Sequence, residues 1–165
     1  MNILVNVLAY KIIWLSGVWG ATNGVSLVTP WLSILYAAYV FKQQLNKPFF
    51  LMYIFSIVCI GISAEFFIFS QISYSYASHQ TFVPVWLIAI WVSFSCMCAF
   101  SLRRLVSRPF VAAGIGLCFG PLAYQGAASF GSIQLINGWT GVLALSVTWM
   151  GIMLVIQRWL RCFMN

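Results

Sequence analysis

The sequence predicts an all-α membrane protein in which six helices cross the bilayer. Hydrophobic residues make up 63% of the chain and charged residues only 5%, with a mean hydropathy of +1.00, which is outside the usual range of soluble globular domains. A soluble fold of 165 residues has too little interior to bury so much apolar surface. Lipid is therefore the expected surrounding of most side chains, and residues 1–165 are expected to form a single transmembrane domain.

Six apolar stretches approach the length of about 20 residues that a helix needs to cross the hydrocarbon core. They cover residues of about 3–22, 25–41, 49–70, 85–102, 110–131 and 140–158. The first stretch has no basic segment before it and carries Lys11 in its middle, so we interpret it as a retained helix and not as a signal peptide. The second is the shortest and has Pro30 in its first third, where a membrane helix tolerates a kink.

The positions of the basic residues predict the orientation of these helices. Lysines and arginines follow the second, fourth and sixth stretches: Lys42, Lys47, Arg103, Arg104, Arg108, Arg158 and Arg161. The other three connections contain none. Because short cytoplasmic loops concentrate Lys and Arg, six spans with both termini in the cytoplasm satisfy every connection. The net charge of +7 then reflects topology and contact with anionic lipid head groups, and does not indicate a nucleic-acid partner.

Two ionisable residues are predicted inside the spans. Glu65 is the only acid in the chain, and an intramembrane carboxyl is a functional candidate because burying its charge is costly. It either handles a proton or ligand, or simply bonds a neighbouring helix. Lys11 can extend toward the head groups or reach toward Glu65. The depths of the two residues in the membrane differ by about 12 Å, which disfavours a direct pair unless the helices are offset.

No catalytic or metal-binding pattern is visible. His79 is the only histidine, and we interpret it as a solvated loop residue rather than a base or a metal ligand. The five cysteines are scattered through the chain and predict no disulfide framework. We therefore expect no cofactor and no metal site.

The fifth stretch carries a packing pattern. Gly116 and Gly120 are four residues apart, which lets another helix approach closely. Pro121 removes a backbone donor and predicts a kink, or alternatively a break that lines a substrate path. Gln125, with Tyr124 beside it, is the polar group best placed to serve either arrangement.

The connection between the third and fourth stretches is polar and aromatic. Tyr74, Tyr76 and Trp86 fit an aromatic belt at the membrane interface. The mouth of a ligand site is the alternative, and we favour the belt.

Several motifs resemble an uncharacterised bacterial integral-membrane family, number 2878 in the domain-of-unknown-function series. The matching residues are Pro84-x-Trp86-Leu87-x-Ala89-x-Trp91, Ser101-Leu102-x-x-Leu105, Gly120-Pro121-Leu122-x-Tyr124, Phe130-Gly131, Trp14 and Gly20-Ala21-Thr22-Asn23. Lys11 stands where a glutamine is usual, and Glu65 where an aspartate is usual. Ala99-Phe100 replaces a frequent asparagine. The resemblance implies a multi-pass protein of the bacterial inner membrane and brings no established activity.

The function expected from these observations is binding or assistance. We expect the bound or assisted molecule to be a lipid or a hydrophobic metabolite, or else another membrane protein or a second copy of the chain. One alternative is a small substrate-binding subunit of a membrane transporter. Another is a lipid-modifying enzyme that uses Glu65, although the lack of a catalytic constellation argues against an enzyme.

Overall fold

The computed structural model describes residues 3–44, 47–76 and 82–163, which form seven helices, two π-helical segments and two short strands. In chain order these are α1 (Ile3–Asn23), α2 (Val28–Lys42), α3 (Lys47–Ala64), π1 (Glu65–Ser73), β1 (Tyr74–Tyr76), α4 (Val85–Met97), π2 (Cys98–Leu102), α5 (Arg103–Val106), α6 (Pro109–Ser129), β2 (Ile133–Leu135) and α7 (Gly138–Phe163). The segment π1 continues α3, and π2 with α5 continues α4.

Five of the helices are long and apolar enough to cross a membrane. They are Ile3–Asn23, Pro48–Ser73, Val85–Val106, Pro109–Ser129 and Gly138–Cys162. The remaining predicted span corresponds to α2, which has 15 residues and is therefore about 22 Å long. It begins at Val28 because Gly24 turns the chain with a φ of 75°. Pro30 consequently lies in the first turn of α2, where its missing N–H breaks no helical hydrogen bond.

Two features near the expected turns differ from the prediction. The helix that contains α4 runs on to Val106, so Arg103 and Arg104 lie on helical backbone and not in a loop. The helix α6 is continuous through Pro121, so the break that was the alternative to a kink at that residue does not occur.

The helices α1 and α2 lie antiparallel. The hydroxyls of Ser16 and Thr29 are 3.1 Å apart, and further along the pair the Tyr36 hydroxyl donates to Asn6 Oδ1 over 2.8 Å. Residues nearer the end of α2 therefore contact residues nearer the start of α1. The C-terminal end of α2 returns to the level at which α1 begins.

The central element is α4, most of whose residues are buried. It packs against α1, α2 and α3, while α6 packs chiefly along α7, and α7 also contacts α3 and π1. The Ser101 hydroxyl, near the end of α4 and π2, lies 3.4 Å from the Ile3 carbonyl. This contact puts the start of α1 beside the segment that leads into Arg103 and Arg104.

A small antiparallel sheet closes the other end. Tyr74 of β1 pairs with Leu135 of β2, and Tyr76 pairs with Ile133. The N–H of Ile136 donates to the Ser73 carbonyl over 2.9 Å. The segment after π1, which contains β1, and the segment after α6, which contains β2, are therefore hydrogen-bonded to each other.

Glycines allow the closest contacts between helices. A side chain at Gly116 would meet the backbone of Trp149 and Met150 in α7, and one at Gly120 would meet the Trp149 indole. Ala112 is also fully buried on this face. The face predicted from the four-residue spacing is thus the surface of α6 against which α7 packs.

Candidate functional site

A cavity of about 50 Å³ lies between α1, α4 and α6, with α7 and the β1–β2 sheet contributing to its wall. Aromatic side chains and one carboxyl dominate its lining, which consists of Tyr10, Trp14, Val18, Glu65, Tyr74, Trp86, Leu87, Ile90, Trp91, Phe94, Ala123, Tyr124, Ala127, Ile133 and Trp149. A cavity needs about 10–15 Å³ to hold one water molecule. The space therefore fits a group as large as a few waters, such as a small head group.

Glu65 is the polar centre of this cavity. It is fully buried, and its carboxyl accepts hydrogen bonds from three side chains. The Tyr124 hydroxyl donates over 2.5 Å and the Trp91 indole N–H over 2.9 Å, both to Oε1, while the Tyr74 hydroxyl donates to Oε2. The donors come from α6, α4 and β1, so one carboxyl connects three separate parts of the chain.

The local sequence explains how Trp91 reaches the carboxyl. Gly61 and Glu65 are four residues apart on α3 and the start of π1, so they lie on the same side of that helix. The Trp91 indole lies directly against Gly61, where any side chain would collide with it. The glycine makes room for the ring, and the glutamate one turn later accepts its N–H.

The π-helical backbone keeps the Glu65 side of the helix turned inward. A π-helix closes its hydrogen bonds at i→i+5 and so turns more slowly than an α-helix. Residues at four-residue spacing lie on one side of such a helix, as they do in an α-helix, and Glu65, Phe69 and Ser73 are all buried. Wide turns of this kind often occur at functional sites.

Two tyrosines of β1 complete the polar side of the site. Burial raises the pKa of Tyr74 well above its usual range, and the neighbouring Glu65 carboxylate raises it further. Burial also raises the pKa of Tyr76, whose hydroxyl lies 3.2 Å from that of Tyr74. Both phenols therefore stay neutral at ordinary pH, and Tyr74 keeps the proton that it donates to Glu65.

Stacked and edge-on rings form the apolar wall. The Trp91 and Trp149 rings stack at 4.9 Å with an interplanar angle of 11°. Phe94 meets both edge-on, at 5.9 Å from Trp91 and 5.3 Å from Trp149. Trp14 meets Phe130 edge-on at 6.4 Å, at the α6 side of the cavity.

One donor of this wall is unused. The Trp149 Nε1 atom is buried and has no partner with good hydrogen-bond geometry among the described residues, although the Tyr124 hydroxyl lies close to it. Buried polar groups are nearly always paired, and Trp149 lines the cavity. The unpaired N–H marks a position where a water or a ligand oxygen would be stabilised.

The structure brings only two of the four predicted polar candidates together. Glu65 and Tyr124 are hydrogen-bonded, whereas Gln125 is exposed on the other side of α6. Lys11 is exposed as well, and its Nζ lies 5.7 Å from the centre of the Trp14 ring. The pair between Lys11 and Glu65 is not formed, because the described partners of Glu65 are two tyrosines and a tryptophan.

The favoured interpretation of the aromatic connection is wrong. Tyr74, Tyr76 and Trp86 are buried, whereas residues of an interfacial belt face the head groups. Tyr74 and Trp86 instead line the cavity, which agrees with the alternative of a ligand site. His79 lies outside the described residues.

Sequence reasoning missed most of the aromatic wall. Tyr10 and Trp149 lie inside apolar spans, where an aromatic residue is ordinary, so neither of them stood out. The combination of Gly61 and Glu65 at four-residue spacing is the signal that was available, because a glycine before an intramembrane acid leaves room for a large donor. Within the described residues, no group of three possible metal ligands is present.

The comparisons with known proteins give one match. The model of a family described as "Protein of unknown function (DUF2878)" matches residues 3–155. No match is found among curated proteins or among solved structures.

Proposed function

This chain belongs to the DUF2878 family, and we propose that it is a membrane-embedded binding protein that holds a small hydrophobic ligand, or the head group of a lipid, in the cavity beside Glu65. The observation that carries the proposal is the buried Glu65 carboxyl on the wall of an otherwise aromatic cavity. Ligand sites are typically apolar concavities with a few fixed polar groups. This cavity has that composition.

The arrangement supports binding better than catalysis. A hydroxyl or thiol nucleophile needs an adjacent base, and a carboxylate that acts as a general base must reach the proton that it removes. The Glu65 carboxyl is held by three donors instead, and such donors orient a group and stabilise its charge. Positioning a ligand beside a fixed carboxyl requires no further group.

The membrane arrangement that we infer has six crossings, with both termini in the cytoplasm of a bacterium and the chain in its inner membrane. The antiparallel contacts of α1 and α2 support a crossing by α2 despite its length. If α2 did not cross, the protein would have five spans. The basic connections would still lie in the cytoplasm, but the N-terminus would lie outside. The contact of Ser101 with Ile3 favours six spans, because it brings the N-terminus near the arginines.

A cavity-filling variant tests the proposal. Ala123 lines the cavity, so Ala123→Leu should occupy part of its volume. Cys118→Leu is the matched control, because Cys118 is exposed on the same helix. The protein is extracted from its native membrane into nanodiscs, and co-purifying molecules are measured by mass spectrometry.

The expected result is a small molecule or lipid that is enriched with the wild type and the Cys118→Leu protein and depleted with Ala123→Leu. Equal co-purification with all three proteins would contradict binding in this cavity. The folded fraction of each variant is measured by size-exclusion chromatography, so that loss of ligand is compared only between folded proteins.

A further inference from the structure

We propose, as an extension that rests on the proposed function, that the ligand carries an alkylated ammonium group, which the cavity holds between aromatic faces and the Glu65 carboxylate. The chemical class is an organic cation with a compact head, as in choline or a phosphocholine lipid.

The distribution of charge is the first argument. Glu65 is the only acid among the 165 residues, and it lies on the cavity wall. Its three hydrogen bonds come from neutral donors, so no described cation balances it. A buried carboxylate without a counter-ion is costly, and a cationic ligand beside it would stabilise the ionised form.

The position of the basic side chains strengthens this argument. Lys42 ends α2, Arg103 and Arg104 lie on α5, and Arg158 and Arg161 lie near the end of α7. The cavity instead adjoins the β1–β2 end, where Tyr74 and Ile133 line it. Most of the positive charge is therefore far from the cavity and repels a cationic ligand little.

The aromatic wall is the second argument. A cation is attracted to the face of an aromatic ring, most strongly to tryptophan, and the attraction grows when the site excludes water. Aromatic cages are the usual means of binding quaternary ammonium groups. Four tryptophans and four other aromatic residues line this cavity. Because Trp91 and Trp149 stack on each other, the faces left for a cation are those of other lining rings, such as Trp14, Trp86 and Tyr10.

The size of the cavity is the third argument. Its volume of about 50 Å³ exceeds that of a single water several-fold on the same measure. A trimethylammonium group is of this order of size, whereas a whole lipid is not. Any acyl chain would therefore remain outside, in the bilayer.

Lys11 shows how an ammonium group is held at the edge of this site. Its Nζ lies 5.7 Å from the Trp14 ring centre, and Trp14 also lines the cavity. The lysine therefore shares one ring with the proposed ligand and repels it. Lys11→Met should accordingly raise the affinity for a cation.

A matched pair of ligands tests the charge requirement. The protein is placed in phosphatidylglycerol nanodiscs, which contain no ammonium head group. Calorimetric titration then compares choline with the uncharged alcohol in which carbon replaces the choline nitrogen. Because the two ligands share one shape, we expect choline to bind about tenfold or more tightly, the range of a desolvated cation–π contact.

Variants identify the groups responsible. Glu65→Gln keeps an acceptor but removes the charge, and should abolish the preference for choline over the alcohol. Trp14→Leu keeps an apolar wall but removes one ring face, and should weaken choline binding while leaving the alcohol nearly unaffected. Trp19→Leu is the control on the same helix, because Trp19 is exposed and should change neither.

The outcomes separate this inference from the proposed function. If both ligands bind equally and Ala123→Leu weakens both, the cavity binds ligands but the charge requirement is wrong. If neither binds, the ammonium inference is wrong, and the co-purification experiment with Ala123→Leu decides separately whether the cavity binds another ligand. Adding phosphatidylcholine to the nanodiscs distinguishes the two sources of the ammonium group: competition with choline indicates a lipid head group, and its absence indicates a free metabolite.

Discussion

At the scale of single residues, Glu65 depends on side chains that are distant in the chain. Tyr124 is separated from Glu65 by 59 residues and Trp91 by 26, yet both donate to the same oxygen. Hydrogen bonds to a charged group contribute about 1.5–3 kcal/mol each, and a buried acceptor that loses its donor adds a desolvation cost. The carboxyl therefore links the ligand site to the stability of the fold.

We expect Tyr124→Phe to lower the free energy of unfolding by about 1–3 kcal/mol, because it removes one donor and leaves the ring in place. Unfolding by denaturant in mild detergent measures the change. Tyr39→Phe is the control, since Tyr39 is half exposed and should change stability by less than about 0.5 kcal/mol. Equal effects of the two substitutions would show that the Tyr124 hydroxyl does not stabilise Glu65.

Lys11 and Glu65 should behave as independent residues, because each has different partners. The changes in stability caused by Lys11→Met and Glu65→Gln should add in the double mutant to within about 0.5 kcal/mol. Thermal unfolding of the four proteins gives the comparison. A double mutant whose stability departs from the sum of the two single changes by more than this would instead show that the two charges interact.

At the scale of elements, the contact between α6 and α7 depends on residues without side chains. Gly116 and Gly120 both lie directly against α7, whereas Gly114, two residues before Gly116, has open space beside it. Without a hydrophobic driving force between helices in lipid, such close contacts supply much of the association. Trp149, which stacks on Trp91, is positioned by this contact.

Gly116→Leu should therefore destabilise the protein much more than Gly114→Leu. The first substitution forces α6 and α7 apart, and the second adds a side chain where nothing is displaced. Both replace glycine by leucine in the same helix, so their helix propensities change equally. Thermal unfolding measured by size-exclusion chromatography provides the comparison, and equal losses would contradict the packing role of Gly116.

At the scale of the whole molecule, the sequence predicts the helices better than the site. Apolar length and basic connections suffice to predict where helices lie, because lipid forces backbone groups to pair within each segment. Family membership was also predictable, from motifs such as Pro84-x-Trp86-Leu87. The pairing of Glu65 with Trp91 and Tyr74 was not, because it depends on how helices from different parts of the chain are arranged around α4. Spacing along one helix contains no such information.

The proposed six-span topology predicts which side of the membrane each connection faces. Reporter fusions at the N-terminus and after Ser107 should both be cytoplasmic, and a fusion after Gln134 should be outside, because basic connections stay in the cytoplasm. The N-terminal fusion distinguishes six spans from five. In a five-span protein whose basic connections are cytoplasmic, the N-terminal fusion would be outside. An external N-terminus together with cytoplasmic Ser107 would overturn the six-span proposal.

The short sheet between β1 and β2 has a consequence for biogenesis. A chain that is synthesised from its N-terminus inserts α3 and π1, with Glu65, long before β2 and α6 emerge. Until Tyr124 arrives on α6, the Glu65 carboxyl lacks one of its donors, and until β2 follows, the strand that carries the donor Tyr74 has no pairing partner. In the proposed membrane arrangement, a fragment that ends before α6 therefore leaves an incompletely hydrogen-bonded acid within a span, and we expect it to be degraded faster than the full chain.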